Sequence, residues 1–504
     1  MNSRKWIAGA LVALLVTFGV VQAQNDRLII GATAEVSGFD PRIATDVPSF
    51  ERINVIMEPL VVFDRGLGLQ PRLATGWELA DDLSTITFSL REGVTWHDGS
   101  PFTAADVRFT FETVLDPNFG ALNRSLYTAI SSIDTPDDFT VVFNLSDPNA
   151  FLVNNIARMP IVQDGVDLTE ANQRPIGTGP YKFVSQVRDD RLVLERYEGY
   201  WGGVGSIPTI EFRVIPEAST RLLAIEAGEV DMTQGQLPTT ELDRLDNDPL
   251  LVLERTPGAG YTYLSFNMRS EPLNDVRVRQ ALNHLIPRQA IVDRVMAGNA
   301  FPGISMLLPT MPWFNPDVRR YDYDPELARQ LLQQAGVDFS RPLRLFTNEN
   351  NPARVLILEI LEFEFAQIGL NLEVRAEEFG AFIARVQQTD DYDMFILGWG
   401  GQLDPDRAMV RQFHSGDLGS SNYSYYANPR VDELLELGRR TDPASPESVA
   451  IYQEASAIVV EESPYAFIFY TEETALYQPY IDGFHVHPYG ANTYQDAHLF
   501  TKNR

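Results

Sequence analysis

Cysteine is absent from all 504 residues, which excludes disulfides, thiolate metal sites, a cysteine nucleophile and a lipid-modified amino-terminal cysteine. Basic residues are few beside acidic ones, 40 against 69, for a net charge of −29. Such a chain is a poor partner for nucleic acid or an anionic membrane. The charge does not by itself imply a cationic ligand, because an acidic surface also serves solubility. Catalytic signatures are missing as well: there is no Gly-x-Ser-x-Gly elbow, no His-Glu-x-x-His and no Gly-x-x-x-x-Gly-Lys phosphate loop. Long apolar runs are lacking except near the start, where Arg4 and Lys5 precede Ile7 to Val21 and a small-residue site, Val21-Gln22-Ala23. That run falls short of the ~20 residues a membrane span needs. Residues 1–23 therefore read as a cleavable secretory signal peptide, with an uncleaved anchor as the alternative. Cleavage takes the basic count from 40 to 38 and the net charge from −29 to −31.

What remains is long and apolar enough, at 44% hydrophobic residues, for two or three domains with large cores. One stretch organises the rest. In Asp391 to Asp406, DYDMFILGWGGQLDPD, the apolar run Met394 to Leu397 reads as a strand buried on both faces, and it ends abruptly in Gly398, Trp399, Gly400 and Gly401. A strand end opening into glycines around one indole is where ligands bind in open α/β sheets. The alternative is a glycine-rich turn with a core tryptophan. A second strand end of this kind follows Leu28 to Ala34, in Ser37, Gly38, Phe39, Asp40 and Pro41.

Between them, Asn54 to Phe63 reads as a short helix. In Thr85 to Arg91, Ile86, Phe88 and Leu90 alternate with polar residues as in a strand with one wet face. Asp98-Gly99 makes a hairpin turn, against which His97-Asp98 as an acid-base pair is the weaker reading. Thr103 and Asp106 start a helix as cap and acidic first turn. Leu222, Leu223 and Ile225 share a helix face ending at Gly228. Asp324-Pro325 cap the helix carrying Leu327, Leu331 and Leu332, which outweighs Asp322 and Asp324 as glycosidase carboxylates. From Arg341 onward strands and helices alternate (strand 343–346, helix 352–368, strand 370–374, helix 379–386, strand 393–397), the pattern of a largely parallel βαβ domain. Tyr465 to Tyr470 reads as a final buried strand.

Several of these stretches form an ordered series. The segment Leu73 to Val107, with LREGVTWHDGSPFTAADV at its end, resembles the element that defines the family 5 extracellular solute-binding proteins of ABC importers. These are the dipeptide, oligopeptide and nickel binders, where phenylalanine usually stands in place of Trp96. GTGPYKF (Gly177 to Phe183), RYEGYW (Arg196 to Trp201), AGEVDM (Ala227 to Met232), the helix pair Asn274 to Gly298, YDYDPELARQLLQQAG (Tyr321 to Gly336) and Asp391 to Trp399 are similar to further elements in the family's order. The resemblance implies an α/β, two-lobed periplasmic-binding-protein fold (type II, cluster C) with an extra inserted domain. It places lobe I in residues 24–52, 176–262 and 480–504, the insertion in 53–175 and lobe II in 263–479. The crossings between lobes then fall near Leu264 to Asn267 and Tyr477 to Ile481.

In a two-lobed binder the loops Ser37 to Asp40 and Gly398 to Asp406 face each other across the cleft. Phe39 and Trp399 are expected to supply aromatic walls, and Ser37, Gly38, Gly400 and Gly401 backbone groups for a ligand. Peptide binders of the resembled family hold the ligand's ammonium with an aspartate after the Gly-Trp pair and its carboxylate with the arginine of an Asn-Pro-x-Arg helix start. Here Arg354 in Asn351-Pro352-Ala353-Arg354 matches the latter, or is only an exposed arginine at a helix start. At the aspartate's place stands Gln402, which cannot pair an ammonium in a desolvated cleft. Either Asp404 takes over or the ligand is not an ordinary free peptide; Asp404-Pro405-Asp406 equally reads as a helix cap. Tyr423, with Tyr425 and Tyr426, lines the cleft or covers a lobe edge. His485 and His487 share a strand face but make a poor metal site. No metal and no cofactor are expected. The sequence thus reads as a monomeric periplasmic receptor, not an enzyme, that captures a small solute such as an oligopeptide and delivers it to an ABC permease. A binder of an oligosaccharide or metal chelate, and a receptor that reports occupancy, are the alternatives.

Overall fold

The computed structural model describes residues 27–503 except 236, 338–340, 390 and 420; the expected signal segment 1–23 lies outside the described residues. The fold is a mixed α/β, two-lobed one with an extra domain, organised by two long strands, Val252–Phe266 and Tyr465–Tyr477, that run antiparallel to each other through both lobes. At one end the second of them pairs with Met232–Gln234. The sheet continues through Arg27–Ala32, Thr209–Val214, Arg191–Arg196 and Tyr181–Val187. At the other end the first pairs with Met394–Gly400, and the sheet continues through Leu343–Asn348 and Leu372–Glu377. The change of partners coincides with a register break between Pro257 and Tyr261, opposite Tyr470 to Glu472. It lies several residues before the expected crossings; Leu264 to Phe266 are already paired with Met394 to Ile396.

Local signals explain most elements. Helix Ala104–Leu115 opens with a capping box between Thr103 and Asp106. Helix Pro325–Ala335 is capped by Asp324 and stopped by Gly336 at φ 70°. Helix Pro352–Ala366 starts at Asn351 and buries Ile357, Leu358, Leu361 and Phe365. Two expectations are corrected. The early helix is Val47–Ile56, begun by Asp46 accepting from the Ser49 N–H with proline in the first turn, and Val61–Phe63 is a strand. Leu223 is 65% exposed on its helix, so only Leu222 and Ile225 face inward.

The extra domain carries a four-stranded antiparallel sheet, 74–79, 85–90, 140–145 and 130–137 in spatial order. The motifs of the sequence series prove to be its joinery. The Gly177 N–H donates to His97 Nδ1 at 3.2 Å, and His97 Nε2 sits 2.9 Å from the Gly179 carbonyl. Thr178, Tyr200 and Trp201 all donate to the buried Glu58 carboxylate, at 3.0, 2.8 and 2.9 Å. Those bonds and Arg72 lower the Glu58 pKa, but burial outweighs them and leaves it raised. The extra domain also packs against the second lobe: Phe151 meets Trp313 and Tyr452 edge-on, and the Ala150 N–H donates to the Arg439 carbonyl at 2.8 Å.

Candidate ligand-binding site

A cavity of about 720 Å³ lies along the two crossing strands where their partners change. Its walls come from both sides: Val47, Gly235, Leu237 and Gly490 from one lobe, Arg354 and Gly398 to Gly401 from the other, and Gly260 and Thr471 to Thr474 from the crossings. A smaller cavity of about 490 Å³, around Arg288 and Tyr321, is lined from the second lobe alone.

The strand Met394–Gly400 buries Met394 to Leu397 and then emerges, with Trp399 half-buried and Gly400 exposed. It pairs with the first crossing strand up to Gly400, whereas its pairing with Leu343–Asn348 stops at Phe395. One backbone edge of Leu397 to Gly400 therefore has no strand partner among the described residues. Two of the glycines are sterically required. A Cβ on Gly398 would lie 2.7 Å from Arg354 Nη2 and 3.0 Å from the Tyr261 carbonyl. Gly401 has φ 63°, and a Cβ there would lie 2.7 Å from Arg158 Nη2, which donates to the Gly401 carbonyl at 2.5 Å.

Arg354 reaches the cavity from the first turn of its helix. Its own N–H is bound by Asn351 Oδ1 at 3.1 Å and one guanidinium arm donates to Asn348 Oδ1 at 2.9 Å, while Nε has no partner. Among the described residues no carboxylate pairs with it, and burial depresses its pKa. The Trp399 indole stacks on Tyr423, centroids 6.4 Å apart and planes at 18°.

Of the ten residues expected to contact ligand, the cavity brings together Arg354, Trp399, Gly400 and Gly401. The others lie elsewhere. Phe39 is 1% exposed and packs on Phe183 in the first lobe's core, so it is no cleft wall. Ser37 is exposed, with its hydroxyl engaged by Asp46 and Ser49, and a Cβ on Gly38 would meet Asn172 Oδ1, which also accepts the Phe39 N–H. Tyr423 is 5% exposed behind Trp399, its hydroxyl accepting from Gln387 at 2.9 Å.

Gln402 and Asp404 also turn away. Gln402 is 1% exposed, its backbone N–H donates to the Ala259 carbonyl and its amide to the Gly400 carbonyl, and its side-chain oxygen has no partner. Asp404 accepts the Arg407 N–H at 2.8 Å as a helix-start cap. Burial raises its pKa against that bond and the opposing charges of Arg158 and Arg407. Asp406, pushed up to about 6 by burial despite Arg439, is held with Asn149 of the extra domain. The acidic pair thus ties the extra domain to the second lobe. His487 is buried, its Nδ1 accepting the Tyr489 N–H at 3.0 Å and its Nε2 3.1 Å from the Phe63 carbonyl, and His485 is beside Glu254. Among the described residues no three His, Asp or Glu side chains group as metal ligands.

Sequence reasoning missed Glu473. It stands on the second crossing strand, partly buried on the cavity wall. Burial pushes its pKa from 4.5 up to about 8, Glu51 adds to the rise, and Gln234 opposes it. A Cβ on Gly490 would sit 3.0 Å from Gln234 Nε2 and 3.1 Å from Glu473 Oε2, so the carboxylate packs closely over this glycine. Its neighbour Glu472 is taken by Arg255 at 2.8 Å, whereas no Arg or Lys among the described residues pairs with Glu473. The signal was two carboxylates inside an otherwise buried strand.

Two lobes, two crossing strands and a cavity walled from both sides define a solute-binding protein. The chain belongs to the bacterial extracellular solute-binding proteins, family 5: the model described as "Bacterial extracellular solute-binding proteins, family 5 Middle" matches residues 68–420. The chain is 28% identical to the dipeptide-binding protein of Escherichia coli (strain K12) over 525 residues, 97% of this chain and 97% of that protein. Its fold is similar to HbpA2 from Haemophilus parasuis (TM-score 0.86, 24% identity, 95% of this chain and 100% of that one). It is also similar to the periplasmic binding protein DppA from Helicobacter pylori in complex with the peptide STSA (TM-score 0.79, 26% identity, 96% and 100%). No described helix is long and apolar enough to cross a membrane.

Proposed function

We propose that this protein is an exported periplasmic receptor that captures a peptide or peptide-like solute between its lobes and delivers it to an ABC permease, without catalysis. The observation that carries the reading is the backbone edge at Gly398 to Gly400, which has no strand partner among the described residues, opening onto a cavity of about 720 Å³ beside an arginine that no described carboxylate pairs. The free backbone groups there can bond the main chain at one end of an extended peptide, whose carboxylate accepts from Arg354. That volume lies within the usual range for small-molecule sites. The relatives that bind dipeptides or a tetrapeptide support the same class.

Closure follows from the topology. A ligand touching both lobes favours the closed state by its differential affinity. The hinge we propose is the register break at Pro257 to Tyr261 with Tyr470 to Glu472, and the lobes we propose on either side of it have the extents given above apart from these joins. A dissociation constant near micromolar, about −8 kcal/mol, suffices for capture. Isothermal calorimetry of the chain from Gln24 onward against di- to pentapeptides tests the reading. Saturable binding of at least one length is the expected result. Binding of an oligosaccharide or metal chelate with no response to any peptide would overturn it.

A further inference from the structure

Resting on the peptide-like reading above, we propose that Glu473 receives the positive end of the solute, and that the solute is a zwitterion long enough to reach from Glu473 to Arg354. The place after the Gly-Trp pair cannot supply the negative charge: Gln402 is neutral and sealed behind the loop, and Asp404 and Asp406 are consumed by the contact with the extra domain. Among the described residues Glu473 is the carboxylate on the cavity wall that no arginine or lysine pairs, in contrast to Glu472. It faces Glu51 across the first lobe, and Glu51 is already matched to Arg52. A desolvated carboxylate beside a second one is a strong receptor for an ammonium, because the incoming charge relieves both the burial and the repulsion.

The two ends belong to one cavity and are spaced by the sheet. Gly398, on which the Arg354 guanidinium rests, pairs with Thr262, and Thr262 pairs with Phe469, four positions before Glu473. At ~3.4 Å per residue and ~4.8 Å per strand, the backbone at Gly398 and at Glu473 is on the order of 15 Å apart. An extended peptide of roughly four residues covers that distance; a dipeptide does not. Glu473 also lies two residues from Thr471, whose hydroxyl donates to the Gly260 carbonyl at 3.2 Å across the register break. The charge is thus received at the place where the lobes are joined.

The experiment is calorimetry of wild type and Glu473→Gln with tetra-alanine, N-acetyl-tetra-alanine, tetra-alanine amide and dialanine, with melting curves of both proteins to show that the variant is folded. In wild type, acetylation and amidation each weaken tetra-alanine at least tenfold, and dialanine binds at least tenfold more weakly. In Glu473→Gln the acetylated and free peptides bind alike, both about as weakly as the acetylated peptide binds wild type, while the loss on amidation persists. Loss on acetylation that is the same in both proteins overturns the role of Glu473 and leaves the peptide reading standing. Dialanine binding as tightly as tetra-alanine overturns the span. No binding of any of these peptides to wild type overturns the peptide reading and this assignment with it.

Discussion

Replacing Glu473 by glutamine should make the unliganded protein more stable, and by an amount that depends on pH in a defined direction. In the fold the carboxyl titrates at about 8, against an ordinary 4.5. A raised folded pKa in an acid means that the unfolded chain releases the proton first, so the side chain subtracts stability progressively from about pH 4.5 to pH 8. At ~1.4 kcal/mol per unit this reaches roughly 3 kcal/mol at pH 7 if the group is fully desolvated. Because it faces a cavity that water can enter, about 2 kcal/mol is the better expectation. The groups around it are Glu51, which itself titrates at about 7, Asp46 and Arg52 on the same helix as Glu51 or beside it, Gln234, and the Glu472–Arg255 pair. Subtracting the wild-type curve from that of Glu473→Gln cancels the background and leaves Glu473. Urea unfolding without ligand, at intervals from pH 5 to 8, should show the variant's advantage growing from near zero to its full value. A difference independent of pH, or a variant less stable than wild type at pH 7.5, would refute the reasoning. Saturating tetra-alanine should reverse the order, since only the carboxylate gains from the ammonium.

Other expectations follow from the same site. Trp399→Ala should weaken peptide binding more than tenfold while lowering stability by only about 1 kcal/mol, because the indole is half-buried; equal losses in calorimetry and melting would make it a core residue. Gln402→Asp places a carboxylate at a position only 1% exposed, near Asp404, whose pKa burial already raises. It should lower stability by about 2 kcal/mol without tightening free-amine peptides, and tighter binding in titration would refute this. Glu58→Ala strands three buried donors, Thr178, Tyr200 and Trp201. A loss of about 3 kcal/mol or more is expected in unfolding, with the affinity of the remaining folded protein unchanged.

Much of this was legible along the chain, because it is written within a few residues. Asp324-Pro325 and Gly336 begin and end a helix by hydrogen bonds to their own neighbours, and Ile86, Phe88 and Leu90 bury one strand face by alternation alone. The ordered motifs gave the family and the two-lobed plan, and the Gly-Trp strand end with Arg354 gave part of the site. The helix at Val47 was overlooked although Asp46 and Pro48 announce it locally. The direction in which Phe39 and Gln402 point was not legible, since it is fixed by Phe183 and Ala259 packing against them from other segments, whereas the capping role of Asp404 lies within three residues and was one of its two readings. Nor was the point where the crossing strands exchange partners, which depends on pairing between residues about two hundred positions apart. Local chemistry in the sequence determined the elements and their class. Only long-range packing decided which carboxylate stands unpaired in the cavity, because a charge's environment is set by what the fold brings beside it.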